Sequence, residues 1–179
     1  MLMMEPAPPR KRSRWTVLLI SFFVGFGLLT MLALGLLIAA AVTLKPMRMV
    51  GRSMEPVIHD GDRVVFSRRV GHIERRTIVV FHYPVDPSQS FVMRAIGLPG
   101  ETIEVRDHQV YVNGQPLIEP YLVPHVVDSM EDTPPVELDS DEYFVMGDRR
   151  GHAADSQIWG PLRRDAIWGR YFGTYWAAK

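Results

Sequence analysis

The run Thr102-Ile103-Glu104-Val105 alternates apolar and polar residues, and Val110-Tyr111-Val112-Asn113-Gly114 follows closely. Alternation with period two places one face of a strand in a core and the other in water. Asn-Gly after β-branched and aromatic residues signals a hairpin, because a type I′ turn needs positive φ at both central positions. Outward from this hairpin, Arg63–Ser67, Thr77–Tyr83, Phe91–Ile96, Glu142–Met146 and Ala166–Trp176 are short runs rich in β-branched and aromatic residues. Turn residues separate them. No segment of comparable length carries helical periodicity. The reading is a mainly β domain, barrel-like or sandwich-like, over residues 45–179. Within it, Val123 to Asp141 holds Pro124, Pro134 and Pro135 among many acids and reads as an exposed, mobile loop.

The rest of the chain has a different chemistry. Trp15 to Leu44 is 30 residues without Asp, Glu, Lys, Arg or His. About 20 apolar residues suffice to cross a bilayer. The apolar core of a cleaved signal peptide is usually about 7–15 residues, so residues 15–44 are expected to be a retained transmembrane helix. Residues 1–14 carry Arg10, Lys11, Arg12 and Arg14 against one acid, Glu5; on the other flank Lys45, Arg48 and Arg52 are more thinly spread. That bias favours a short cytoplasmic N-terminus and an extracytoplasmic C-terminal domain in the cell membrane.

The whole chain has 20 Lys+Arg and 20 Asp+Glu. With the four basic groups and one acid of residues 1–14 removed, residues 45–179 keep 16 basic and 19 acidic groups. A slightly acidic domain excludes nucleic-acid binding driven by a basic surface. The chain has no cysteine, which excludes disulfides, thiolate metal sites and a Cys nucleophile. No phosphate loop or metal-ligand cluster is apparent, and no cofactor is expected.

Three segments carry the candidate chemistry. Met49-Val50-Gly51-Arg52-Ser53-Met54-Glu55-Pro56 follows the apolar block. Phe91-Val92-Met93-Arg94-Ala95-Ile96-Gly97-Leu98-Pro99-Gly100-Glu101 is the second. Gly147-Asp148-Arg149-Arg150-Gly151-His152-Ala153-Ala154-Asp155-Ser156 is the third. Taken with Gly61-Asp62-Arg63-Val64, Ile78-Val79-Val80-Phe81, Val112-Asn113-Gly114 and Trp159-Gly160, this order of motifs resembles the type I signal peptidases. These are membrane-anchored serine endopeptidases that remove signal peptides from exported proteins.

The resemblance implies that Ser53 is a nucleophile, that Gly51, Arg52, Met54 and Pro56 belong to the substrate and oxyanion region, and that shallow apolar pockets take Ala-x-Ala. It implies partners as well: the lipid bilayer and preproteins with signal peptides. It further implies that Arg94, Asp148, Arg150, Asp155 and Ser156 support the site from beneath. In the family a lysine precedes the Arg of Arg-x-Ile-Gly-Leu-Pro-Gly and serves as general base; here that position is Met93. A methionine cannot accept a proton. Ala153 stands where the family has a serine that orients the lysine, Arg149 replaces an Asn, and Gln157 replaces an Arg. The chain has only Lys11, Lys45 and Lys179. His152, in the third segment, is the candidate substitute base. The alternative reading is a catalytically silent relative that binds signal-peptide-like or pilin-like segments as an assembly factor. Asp62 reads as a turn residue. Tyr171, Phe172, Tyr175 and Trp176 suit either a membrane surface or a β core.

Overall fold

A computed structural model describes residues 14–122 and 130–178. The chain divides into two units, Met1–Val42 and Thr43–Lys179. In the first, α1 runs from Arg14 to Thr43 and has no buried residue. It is long and apolar enough to cross a membrane. Sixteen of its 30 residues are Leu, Phe, Val or Ile, and all sixteen are exposed. A helix that is apolar all round and has no buried residue is what a bilayer covers. The helix ends one residue before the sequence-based limit, because Leu44 already pairs with Ser67.

The second unit is mainly β, as expected. Its strands are β1 (Leu44–Arg48), β2 (Arg63–Ser67), β3 (Ile78–His82), β4 (Ser90–Gly97), β5 (Thr102–Arg106), β6 (Gln109–Val112), β7 (Gln115–Pro116), β8 (Thr133–Glu137), β9 (Glu142–Met146), β10 (Leu162–Arg163) and β11 (Ile167–Trp176). A seven-stranded sheet has the order β1-β2-β11-β3-β4-β9-β10, and a four-stranded sheet the order β7-β6-β5-β8. Every pairing is antiparallel. Asn113 and Gly114 both adopt positive φ, 50° and 75°, and turn β6 into β7.

Two apolar clusters rest on the large sheet. One includes Val79, Phe81, Met93, Ala95 and Val145, and the other Met54, Ile58, Phe66, Val80 and Val92. Val79 and Val80 thus fall in different clusters, as neighbours on a strand buried on both faces should. A third cluster joins the sheets, with Ile96, Phe144 and Met146 from the large one and Ile103, Val105 and Val110 from the small one. Gly97 ends β4 at this junction: a Cβ there would lie 2.6 Å from Ile103 and 2.7 Å from Leu138.

The expected loop over 123–141 is corrected in part. Residues 123–129 lie outside the described residues, but Thr133–Glu137 is strand β8, paired with β5. A four-residue helix, α2 (Ser156–Trp159), was not expected either. Its N-cap is Asp155, whose carboxylate accepts from the Gln157 N–H.

Candidate active site

The Ser53 segment is a chain reversal between β1 and β2. Gly51 takes φ +99°, open to glycine and strained for other residues. Its N–H donates to Asp60 Oδ1 at 2.8 Å. The Ile58 N–H donates to the Met54 carbonyl at 2.9 Å, and the Met49 and Gly61 N–H groups to Asp62 and Met49 carbonyls. Asp62 itself is buried, and its carboxylate accepts from the His59 and Ala178 N–H groups. Burial pushes this carboxyl up; those two N–H groups outweigh it and hold it below the usual range. Asp62 is therefore a fastening of the turn, as read from the sequence. Ser53 ends up half-buried and its hydroxyl has no hydrogen bond among the described residues.

A cleft of about 620 Å³ runs beside it, with Gly51, Arg52, Ser53, Met93, His152 and Ala153 among its lining. The three sequence segments thus meet on one wall. Met54 and Pro56 do not line it. Met54 is fully buried and packs in the cluster beneath the turn, and Pro56 is exposed. Met93 is 2% exposed, and Ala153 packs against its cluster. Met93 and Ala153 therefore belong to one apolar patch of the cleft lining. Lys45 is no substitute: its ammonium lies 4.6 Å from the centre of the Trp168 ring, and it does not line the cleft. Lys11 and Lys179 lie outside the described residues.

The third segment is clamped to the first. The Arg149 N–H donates to the Ser53 carbonyl at 2.9 Å, and the His152 N–H to the Arg149 carbonyl at 3.2 Å. Gly147 has no room for a side chain: a Cβ would lie 2.7 Å from the Ser53 carbonyl oxygen and 2.5 Å from Ala153 Cβ. Arg52 and Arg149 share the Glu55 carboxylate, at 2.8 and 3.3 Å. His152 is exposed, with Nδ1 3.2 Å from the Arg150 carbonyl. A donor at Nδ1 leaves Nε2 free to accept.

Beneath the wall lies a buried charge cluster. Arg94 reaches Asp148 with two nitrogens, its Nε at 2.7 Å, and donates to the Arg76 carbonyl. Arg150, fully buried, forks onto Glu119. The Tyr121 hydroxyl donates to Glu119, and its ring lies 4.0 Å from the Arg94 guanidinium. Burial raises the Asp148 carboxyl, against the pull of Arg94. Asp155 is raised by burial too, although it accepts from the Gln157 and Gly147 N–H groups. Burial disfavours the Arg150 charge, and Glu119 more than offsets it. Ser156 Oγ accepts from the Val145 N–H at 3.0 Å. The sequence reading placed Arg94, Asp148, Arg150, Asp155 and Ser156 here and missed Glu119 and Tyr121. No local pattern marks those two; the arginines that they meet, Arg150 and Arg94, lie far along the chain.

The assembled features define a class: a β domain with an open, serine-walled cleft, in a chain that also carries a membrane-length apolar helix. Residues 20–176 match the family described as signal peptidase, peptidase S26. The chain belongs to that family. It is 36% identical over 133 residues to the probable signal peptidase I-2 of Synechocystis sp., covering 69% of this chain and 59% of that one. A signal peptidase I of Bacillus amyloliquefaciens is 35% identical over 143 residues, covering 74% and 73%. The chain thus spans about three fifths of the Synechocystis relative's length, 59%. The crystal structure of a signal peptidase I from Enterococcus faecalis superposes with a TM-score of 0.50 at 30% identity, covering 56% of this chain and 97% of that one.

Proposed function

We propose that this protein is a membrane-anchored serine endopeptidase of signal peptidase type, acting on the signal peptides of exported preproteins, with α1 in the membrane and the β domain on the extracytoplasmic side. The observation that carries this reading is Ser53 on the wall of a cleft that the three characteristic segments line together. In this reading the Ser53 hydroxyl oxygen attacks the scissile carbonyl carbon. Its proton passes to a neighbouring base, and the departing amine takes that proton when the peptide bond breaks. Water then hydrolyses the Ser53 ester. Lysine cannot be the base, since Met93 fills its place. His152 takes the role: it lines the same cleft, its turn is hydrogen-bonded to Ser53 through Arg149, and its Nδ1 contact leaves Nε2 to accept.

A second reading is favoured by Met93 and Ala153, both packed in one apolar cluster. In it the cleft holds signal-peptide-like or pilin-like segments without cutting them, and the protein serves assembly. One assay separates the two. The purified full chain in detergent is given a preprotein with an Ala-x-Ala site, beside Ser53→Ala, His152→Ala and Met93→Lys variants. Cleavage abolished by both alanine changes supports the first reading. Cleavage lost in Ser53→Ala but unchanged in His152→Ala removes His152 from the mechanism. No cleavage by the parent chain, with an Ala-x-Ala peptide still bound and activity appearing in Met93→Lys, establishes the second.

A further inference from the structure

Seven arginines of the β domain, from Arg52 to Arg163, sit against carboxylates. Arg68, Arg69 and Arg170 do not. All three are exposed, and their guanidinium groups have no acceptor among the described residues. They are also gathered at one place in the fold. The Arg68 N–H donates to the carbonyl of Thr43, the last residue of α1, at 2.8 Å. Leu44, the next residue, pairs with Ser67, and Ser67 pairs with Arg170 on the following strand. The Arg69 N–H donates to Ser67 Oγ at 3.2 Å. Three unpaired cations therefore stand within a few residues of the point where the chain leaves an apolar helix.

Length fixes what lies at that point. The 30 residues of α1 rise about 45 Å in all, against a hydrocarbon core of about 30 Å and about 40–45 Å with headgroups. A helix of that length ends among lipid phosphates. Beside the cations, β11 breaks its register between Tyr171 and Gly173, leaving Phe172 as a bulge residue at 69% exposure. A bulge re-aims the side chain that it carries, and an exposed aromatic next to unpaired arginines is the composition of an interfacial surface.

We propose that Arg68, Arg69 and Arg170 form a site for the phosphate groups of anionic lipids in the bilayer that α1 crosses, with Phe172 entering the headgroup layer next to them. The site holds the β domain against the membrane surface. It rests on α1 spanning a bilayer and does not depend on cleavage or on the occupant of the cleft. Basic groups near an anionic surface each contribute several-fold, so the three together amount to about 10²-fold in the docked over the undocked state.

The chain has no cysteine, so one introduced at Tyr175, which is exposed, takes an environment-sensitive fluorophore without ambiguity. The full chain is reconstituted in vesicles of phosphatidylcholine, alone or with about 30% phosphatidylglycerol. The expected result is a blue shift and quenching by a headgroup spin label in the anionic vesicles, both lost at about 0.5 M salt. The triple change to Gln at Arg68, Arg69 and Arg170 abolishes the signal, the triple change to Lys restores most of it, and neither moves the thermal unfolding midpoint. Equal quenching in the Gln variant, or in phosphatidylcholine alone, overturns the proposal. Loss of the signal on adding inorganic phosphate, at matched ionic strength, assigns the site to free phosphate instead of lipid and overturns it as well.

Discussion

Met93 and Arg94 are adjacent on β4, and neighbours on a strand point to opposite faces. Arg94 keeps a bidentate carboxylate, a backbone acceptor and a stacked tyrosine. Met93 packs in an apolar cluster with Val79, Phe81 and Val145, and Ala153 packs against the same cluster. The contrast separates two demands on one site. The buried charges under the wall hold three distant segments together, and removing one partner leaves a charge stranded in low dielectric. The groups that move a proton hold nothing together. Methionine fills the volume of a lysine stem and packs well in irregular gaps, so exchanging them leaves the frame standing. The architecture of the cleft thus survives without the base that the family resemblance implies.

The strongest way to break this contrast is to restore the proton acceptor. Met93→Lys combined with Ala153→Ser is expected to raise Ser53-dependent cleavage of an Ala-x-Ala preprotein by about 10²–10⁴-fold, the usual contribution of a positioned base. A lysine in this apolar cluster has its pKa lowered by desolvation, so activity climbs with pH as the amine loses its proton. The gain should persist when His152 is also changed to Ala. No gain in the doubly changed protein, with its fold intact, means that the site lacks more than a base. On the charged side, Glu119→Gln removes the carboxylate onto which the buried Arg150 forks. It should cost about 3–5 kcal/mol of stability, read from denaturant unfolding in detergent. A cost near zero would show that the cluster does not brace the wall.

Much of this contrast was legible in the chain. Ser53, Met93, His152 and Ala153 were all singled out, because short motifs carry them and a turn or strand presents them directly. The strand runs were visible where β-branched residues cluster. Besides the two-residue β10, what escaped were strands containing proline. Pro46 sits in β1 and Pro134 and Pro135 in β8, and each strand lies at the edge of its sheet. Proline lacks the N–H of an interior ladder and is tolerated at such edges, so a composition that argues for a loop also suits an edge strand. Glu119 and Tyr121 escaped for another reason. Their roles come from Arg150 and Arg94, and no local periodicity encodes pairs that far apart.

A smaller effect tests how tightly the frame grips the nucleophile turn. Gly147→Ala places a methyl group against the Ser53 carbonyl and Ala153. Overpacking of this kind costs about 1–3 kcal/mol. One of the two clashes is with the Ser53 carbonyl, so relief requires a shift of the Ser53 backbone as well as of Ala153. Binding of an Ala-x-Ala peptide should therefore weaken together with the melting temperature. A melting temperature that drops with unchanged peptide affinity would show that the turn is held elsewhere, by Asp60 and Asp62.

The smallest effect concerns charge at the edge of the frame. Glu101 accepts from Arg75 through both oxygens and from the Leu98 N–H. Burial pushes this carboxyl up; the Arg75 hydrogen bonds, the Leu98 N–H and the Arg75 charge outweigh it and hold it below the usual range. A lowered folded pKa gives stability that is present above the ordinary carboxylate value and is lost as pH falls through the folded one. Asp148 and Asp155 are raised by burial, so they act with the opposite sign: just above the ordinary carboxylate value their contribution declines as pH rises. The acid limb of the stability curve is the difference between these two kinds of carboxyl. Glu101→Gln removes only the first kind. It should lower stability near neutral pH by about 1 kcal/mol or less, given the partial exposure of the pair. Below the ordinary carboxylate range the variant and the parent should converge. Melting curves that stay parallel down to strongly acid pH would mean that the Arg75 pair is not what sets the carboxyl's acidity.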